Sequence, residues 1–349
     1  MTLLIVVLVG ATAVVATVGP RLARVAEAIS NRLDLGQVLV GAVLLGVVTS
    51  LPGLVLTVTA ASRGETELAV SNAIGGVAAQ TLFLAIADIA FRSGTLSSFV
   101  PTRQVAYQAA VLMILLSIVS IGLASPDVVV GRIHPLTPAI VGAYVVGLLL
   151  SRRIDISASA AIGPEPDASD VEGGRSGQRG KLGGLEDSPE VEEEEQRPWS
   201  QLWSRFATFA VVLGLAGFAL AWAGSELTAT TSLSAGAVGV VFTSVATSTP
   251  ELVTAVAAAR RGAIGLAAGD IIGGNTFDTL FVAAADLVSA DSVFGGAGVD
   301  AAGVTGLAVL LNGVLLAGLV RQGTGARNTD TESWSIITIW VVAVVVILV

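Results

Sequence analysis

The sequence predicts an all-α polytopic membrane protein, with about ten transmembrane helices in two inverted five-helix repeats. Three observations predict it. Mean hydropathy is +0.83, with 53% hydrophobic and only 13% charged residues, far outside the range of soluble domains. The apolar residues fall in blocks of about 18–25, the length that crosses a bilayer core. The chain also aligns on itself at an offset of 198 residues, 41–88 against 239–286, without a gap.

Apolar blocks between polar breaks place spans near 2–19, 36–61, 66–91, 104–124, 132–151, 201–223, 235–259, 263–289, 299–320 and 333–349. The first block lacks the basic run that precedes a cleaved signal core, so it reads as a retained span with its N-terminus outside. That orientation puts Arg21, Arg24, Arg32, Arg92, Arg103, Arg152, Arg153, Arg260, Arg261, Arg321 and Arg327 inside. Only Arg63 and Arg132 fall outside, as the positive-inside rule requires, and the membrane is expected to be the cell membrane.

Residues 152–200 are polar, rich in Gly, Ser, Pro, Asp and Glu, and close on the acidic run Glu192 to Glu195. Such a segment cannot bury enough apolar surface to order itself, and it reads as a disordered cytoplasmic loop. It separates an N-terminal membrane half, 1–151, from a C-terminal one, 201–349, and carries much of the net charge of -9. Cysteine is absent and His134 is the single histidine. Disulfides, thiolate metal sites, cysteine nucleophiles and histidine pairs are thereby excluded. No constellation points to an enzyme, a bound cofactor or a nucleic-acid partner.

Twenty-four of the 48 aligned repeat positions are identical, among them Thr49/Thr247, Ser50/Ser248, Pro52/Pro250 and Asp88/Asp286. The first copy begins on a span running outward and the second on a span running inward. The copies are therefore inverted, the usual plan of a secondary transporter with its ion site between them.

Pro52 and Pro250 lack an N–H, which frees the carbonyls of Val48 and Ala246 one turn earlier. A bare carbonyl within a membrane needs a partner, and a dehydrated cation is one. The neighbouring hydroxyls of Thr49, Ser50, Thr247 and Ser248 add oxygen donors of the kind hard cations prefer. Glu251 places a carboxylate at mid-span, a functional-site candidate by default. Its partner helix adds Asp270 and Asp278, of which Asp278 is the better-placed ligand, while the first copy has Asn72 and Gln80 there.

The run Thr247-Ser248-Thr249-Pro250-Glu251, followed by Gly269-Asp270-Ile271-Ile272-Gly273-Gly274-Asn275-Thr276-Phe277-Asp278, resembles the α-repeats of the cation/calcium antiporter superfamily, the sodium/calcium exchangers. The resemblance covers both repeats. It implies exchange of Ca²⁺ against Na⁺ or H⁺ by alternating access. It also implies ion ligands at Thr49, Ser50, Gln80, Thr247, Ser248, Glu251 and Asp278, with backbone oxygens at Val48 and Ala246.

One position departs from that pattern: the family's first-repeat glutamate falls on Gly53. Ser71, Val77 and Gln80 also replace residues the family favours. The missing carboxylate is expected to weaken Ca²⁺ binding. Two other readings therefore stand beside Ca²⁺ exchange, a monovalent cation/H⁺ antiporter and a non-transporting, ion-sensing relative. Asp88 and Asp286 depart as well. A surface ion pair of Asp88 with Arg92 and a lining role on an ion path are the two readings of these aspartates.

Overall fold

In the computed structural model the described residues are 1–33, 46–90, 103–161, 189–260, 264–322 and 331–348. They fold as helices, the form in which a chain satisfies its own backbone groups inside lipid. The first half contains α1 (Thr2–Leu33), α2 (Gly46–Thr49), α3 (Leu51–Ser62), α4 (Thr66–Ala90), α5 (Arg103–Ala124) and α6 (Leu136–Ala161). A short α7 (Pro189–Glu195) leads into the second half. There α8 (Trp199–Thr230), α9 (Ala235–Thr247) and α10 (Thr249–Arg260) are followed by α11 (Ile264–Asp278) and α12 (Leu280–Val288). A single turn, α13 (Val293–Gly296), precedes α14 (Gly298–Gln322) and α15 (Thr331–Leu348).

Six of these helices are individually long and apolar enough to span a membrane. The bent pair α9–α10 makes a seventh, and the shorter apolar stretches Leu51–Ser62, Leu136–Ser151 and Thr331–Ile347 occupy the remaining predicted spans.

The repeat is wider in the structure than in the sequence. The 198-residue offset maps α3 onto α10, and α4 onto the whole of α11 and α12, residue for residue at both ends. It also maps α1 onto α8 within one residue at each end, although the identities there are sparse.

α4 is the axis of the bundle. Of its span 94% is buried, against 17% for that of α1. Leu84 of α4, Leu112 and Leu115 of α5 and Leu311 of α14 share the main core. α1 and α8 form a second layer with a separate core around Val15, Leu22, Leu213 and Leu220, which reaches Leu56 of α3.

Asp88 and Asp286 are buried and join the two halves. Asp88, 2% exposed, accepts a hydrogen bond from Ser333 Oγ at the start of α15. Asp286, fully buried, accepts from the backbone N–H of His134, the hydroxyl of Thr137 at the start of α6, and the N–H of Val293. Burial leaves a carboxylate dependent on such donors, so each aspartate fixes the last helix of the opposite half. The proposed partner Arg92 lies outside the described residues.

The acidic loop also acquires local structure at its far end. Val191 of α7 is fully buried against Val25, Ala28, Ile29 and Leu202. Glu190 pairs with Arg24, and Glu194 with both Arg197 and Arg205. One apolar side chain and a set of ion pairs thus order a segment whose composition reads as linker.

Candidate functional site

The site forms where two helices break at matching positions. α2 gives way to α3 at Ser50 (φ -84°, ψ 2°), and α9 to α10 at Ser248 (φ -91°, ψ 11°). Both residues lie in the sparsely used bridge region that interrupts a helix. Two residues later Pro52 and Pro250 withhold the N–H that would continue it. In the second half the bend is 51°, preceded by a π-helical turn over Val238–Thr243. Such turns widen a helix and are frequent at functional sites.

The freed carbonyls are treated differently. Ala246 accepts the hydroxyl of Thr249 at 2.9 Å, so the second-half kink satisfies itself in part. The matching first-half residue is Leu51, which has no hydroxyl to offer Val48.

Between the breaks lies a small cleft, with room for about one water-sized sphere, lined by polar side chains. From the first half it is lined by Ser50, Gly53, Asn72 and Gln80; from the second by Thr247, Ser248, Glu251 and Asp278, with Phe281 as an apolar wall. Six of the seven residues singled out in the sequence therefore converge here. The seventh, Thr49, directs its hydroxyl towards Glu251 from the end of α2. Asp270 does not line the cleft and is exposed.

Glu251 is 7% exposed, and neither carboxylate oxygen meets hydrogen-bond geometry, Thr49 included. Asp278, 3% exposed, accepts from Gln80 Nε2 through Oδ2 at 2.6 Å, and the Ser50 hydroxyl faces it; Oδ1 has no partner. Gln80 and Asp278 are repeat equivalents, so this bond crosses the pseudo-two-fold axis. So does the contact of Asn275 Nδ2 with the carbonyl of its equivalent, Val77, at 3.5 Å.

Asn72, expected as a neutral oxygen donor, is occupied. Its Oδ1 accepts from Thr243, and its Nδ2 donates to the Gly53 carbonyl and to Thr57 Oγ1. Among the described residues no group of three or more His, Cys, Asp or Glu side chains comes together. The cleft offers two carboxylates, hydroxyls and an amide, a set of hard oxygen donors suited to a Group 1 or Group 2 cation rather than a softer metal.

Sequence reasoning missed Phe281 and the engagement of Asn72. A β-carbon on Gly53 would lie 3.4 Å from the Phe281 ring and 3.6 Å from Thr247 Oγ1, so the aromatic faces the position left without a side chain. No local motif signals that pairing.

The sodium/calcium exchanger protein family model matches residues 3–152 and 202–290. No curated protein matches the sequence significantly. Among solved structures, the H⁺/Ca²⁺ exchanger CAX superposes with a TM-score of 0.68 at 14% identity, over 99% of this chain and 84% of that one. The sodium-calcium exchanger NCX_Mj, soaked with 100 mM Na⁺ and 10 mM Sr²⁺, gives 0.60 at 15% identity over 99% of both chains. At such identities these likenesses speak to the fold.

Proposed function

Because this chain belongs to the sodium/calcium exchanger protein family, we propose that it is a secondary-active cation antiporter of the cell membrane. It moves Ca²⁺ or another cation against Na⁺ or H⁺ by alternating access at the cleft between its halves. The observation that carries this reading is Glu251: a buried carboxylate with the Thr49 hydroxyl turned towards it but no close hydrogen bond at either oxygen, aimed into a cleft of oxygen atoms. An uncompensated carboxylate is costly in low dielectric, and a cation stripped of its water is the complementary partner.

In this reading Glu251 is the principal ligand and Asp278 the second. Ser50, Thr247, Ser248, Gln80 and Thr49 supply neutral oxygens, and the Val48 carbonyl adds another. Pseudo-symmetry supplies the transport cycle. Two halves of one design that exchange conformations expose the same cleft first to one face and then to the other. The arginine distribution supports an N-terminus outside and the 152–200 loop in the cytoplasm.

The test is flux in proteoliposomes loaded with Na⁺ or H⁺ and exposed to ⁴⁵Ca²⁺ or ²²Na⁺. Exchange by the wild type that is lost in Glu251→Gln supports the reading. A wild type that binds cations without exchanging them under any gradient favours the ion-sensing alternative.

A further inference from the structure

The two carboxylates of the cleft are not equally free, and the difference bears on the charge of the cation they hold. Both come from the second half. The first-half equivalent of Glu251 is Gly53, and the first half contributes only neutral groups to the lining. Asn72 is held by Thr243, Gly53 and Thr57, with one of the two lone pairs of its oxygen already used.

Of the two carboxylates, Glu251 makes no close hydrogen bond through either oxygen, although the Thr49 hydroxyl is turned towards it. Asp278 is held across the axis by Gln80 at 2.6 Å, while Gln80 Oε1 lies near Gly274 and accepts no hydrogen bond. The amide orientation follows from chemistry. Turned over, Oε1 would face a carboxylate oxygen at the same separation, acceptor against acceptor. The amino group, the positive end of the amide dipole, therefore stands in the cleft beside Asp278. A divalent cation bridging Glu251 and Asp278 would need an acceptor in that place.

Resting on the transport reading above, we infer that the cleft selects a monovalent cation of the size of Na⁺, and that Gln80 sets this selectivity by holding Asp278. Divalent Ca²⁺ takes about 6–8 oxygens and draws on several carboxylate oxygens among them. Among the described residues the free oxygens here are the pair on Glu251, one on Asp278 and the amide oxygen of Gln80, beside the hydroxyls. Asp278 keeps its charge, but one of its oxygens is taken by Gln80, and the positive end of the amide dipole sits where a second positive charge would have to approach. Side-chain length matters as well: an asparagine at this position would be shorter by one methylene, about 1.5 Å, and could not keep the bond.

The experiment is calorimetric titration of the purified full chain with NaCl and with CaCl₂ at constant ionic strength, for the wild type, Gln80→Asn and Gly53→Glu. The wild type is expected to bind Na⁺ in preference to Ca²⁺. Gln80→Asn is expected to raise the Ca²⁺-to-Na⁺ affinity ratio by about ten- to a hundredfold, the weight of one hydrogen bond to a charged group. Gly53→Glu adds a carboxylate without touching the Gln80–Asp278 bond and is expected to raise the ratio in the same direction, so it carries the test if Gln80→Asn does not fold. A wild type that prefers Ca²⁺, or a ratio unmoved in both variants, overturns the inference and leaves the antiporter reading standing. A wild type that neither binds nor exchanges any cation overturns both.

Discussion

Gly19 of α1 lies against Pro250, the kink proline of the opposite half, so closely that a β-carbon there would fall 2.6 Å from Pro250 Cγ. Its repeat equivalent, Gly217 of α8, lies against Pro52, with 2.5 Å to the Pro52 carbonyl oxygen. The first helix of each half is thus seated on the broken helix of the other, and only glycine permits that approach.

This packing predicts a graded response to alanine. Gly19→Ala and Gly217→Ala should each lower thermal stability in detergent, by about 1–3 kcal/mol for overpacking. Gly217→Ala should be the worse of the two, because it meets backbone, which cannot rotate away. Gly10→Ala on the same α1 has nothing within 4 Å and should be neutral or slightly stabilising, since alanine favours helix over glycine. Equal melting temperatures for all three variants would contradict the packing.

Gly53 should behave in the opposite way from Gly19. Its β-carbon would make ordinary van der Waals contacts with Phe281 and Thr247. Gly53→Ala is therefore expected to fold with stability within about 0.5 kcal/mol of wild type. A large loss in the melting temperature of Gly53→Ala would show that the glycine is there for its backbone and not for the space it leaves in the cleft.

How much of this could be read from sequence depends on which residues must stay alike. The breaks at Ser50 and Ser248 were legible because proline and hydroxyls leave a compositional mark in an otherwise apolar run. The equivalence of α1 and α8 was not. Their lipid-facing positions tolerate any of Val, Leu, Ile or Ala, and few sites such as Gly19 and Gly217 are held by packing. The Gln80–Asp278 bond was hidden for another reason: repeat equivalents touch only where the symmetry axis passes between them, and the alignment does not locate that axis. The bond of Asp88 with Ser333, 245 residues on, leaves no local mark in the sequence. Near the end of the acidic loop, Val191, set among Glu190 and Glu192 to Glu195, was too slight a signal.

The buried joint at Asp286 predicts a large effect from a small truncation. Asp286→Ala removes the acceptor for His134 N–H, the Thr137 hydroxyl and Val293 N–H, all of them buried. Each donor left without a partner costs about 1–3 kcal/mol. The variant should be the least stable of those named here, and Asp286→Asn, which keeps one acceptor oxygen, should fall between it and wild type. Melting temperatures of the three proteins decide this.

The seat of α7 on α1 and α8 predicts a contact that salt and charge removal should open. Val191 is fully buried, yet the helix that carries it has only seven residues, too few to be stable alone. Its position depends on the Arg24–Glu190 pair and on Glu194, whose side chain is 11% exposed between Arg197 and Arg205. Because the chain has no cysteine, a single Val191→Cys variant reports directly on this contact. Its thiol should label slowly at low ionic strength and several-fold faster near 1 M salt, where the screening length is about 3 Å. Adding Glu194→Gln should give the fast rate at low salt, since it leaves two arginines facing a neutral amide. A thiol that labels at one rate under all three conditions would mean that apolar contact alone holds α7, with the ion pairs incidental.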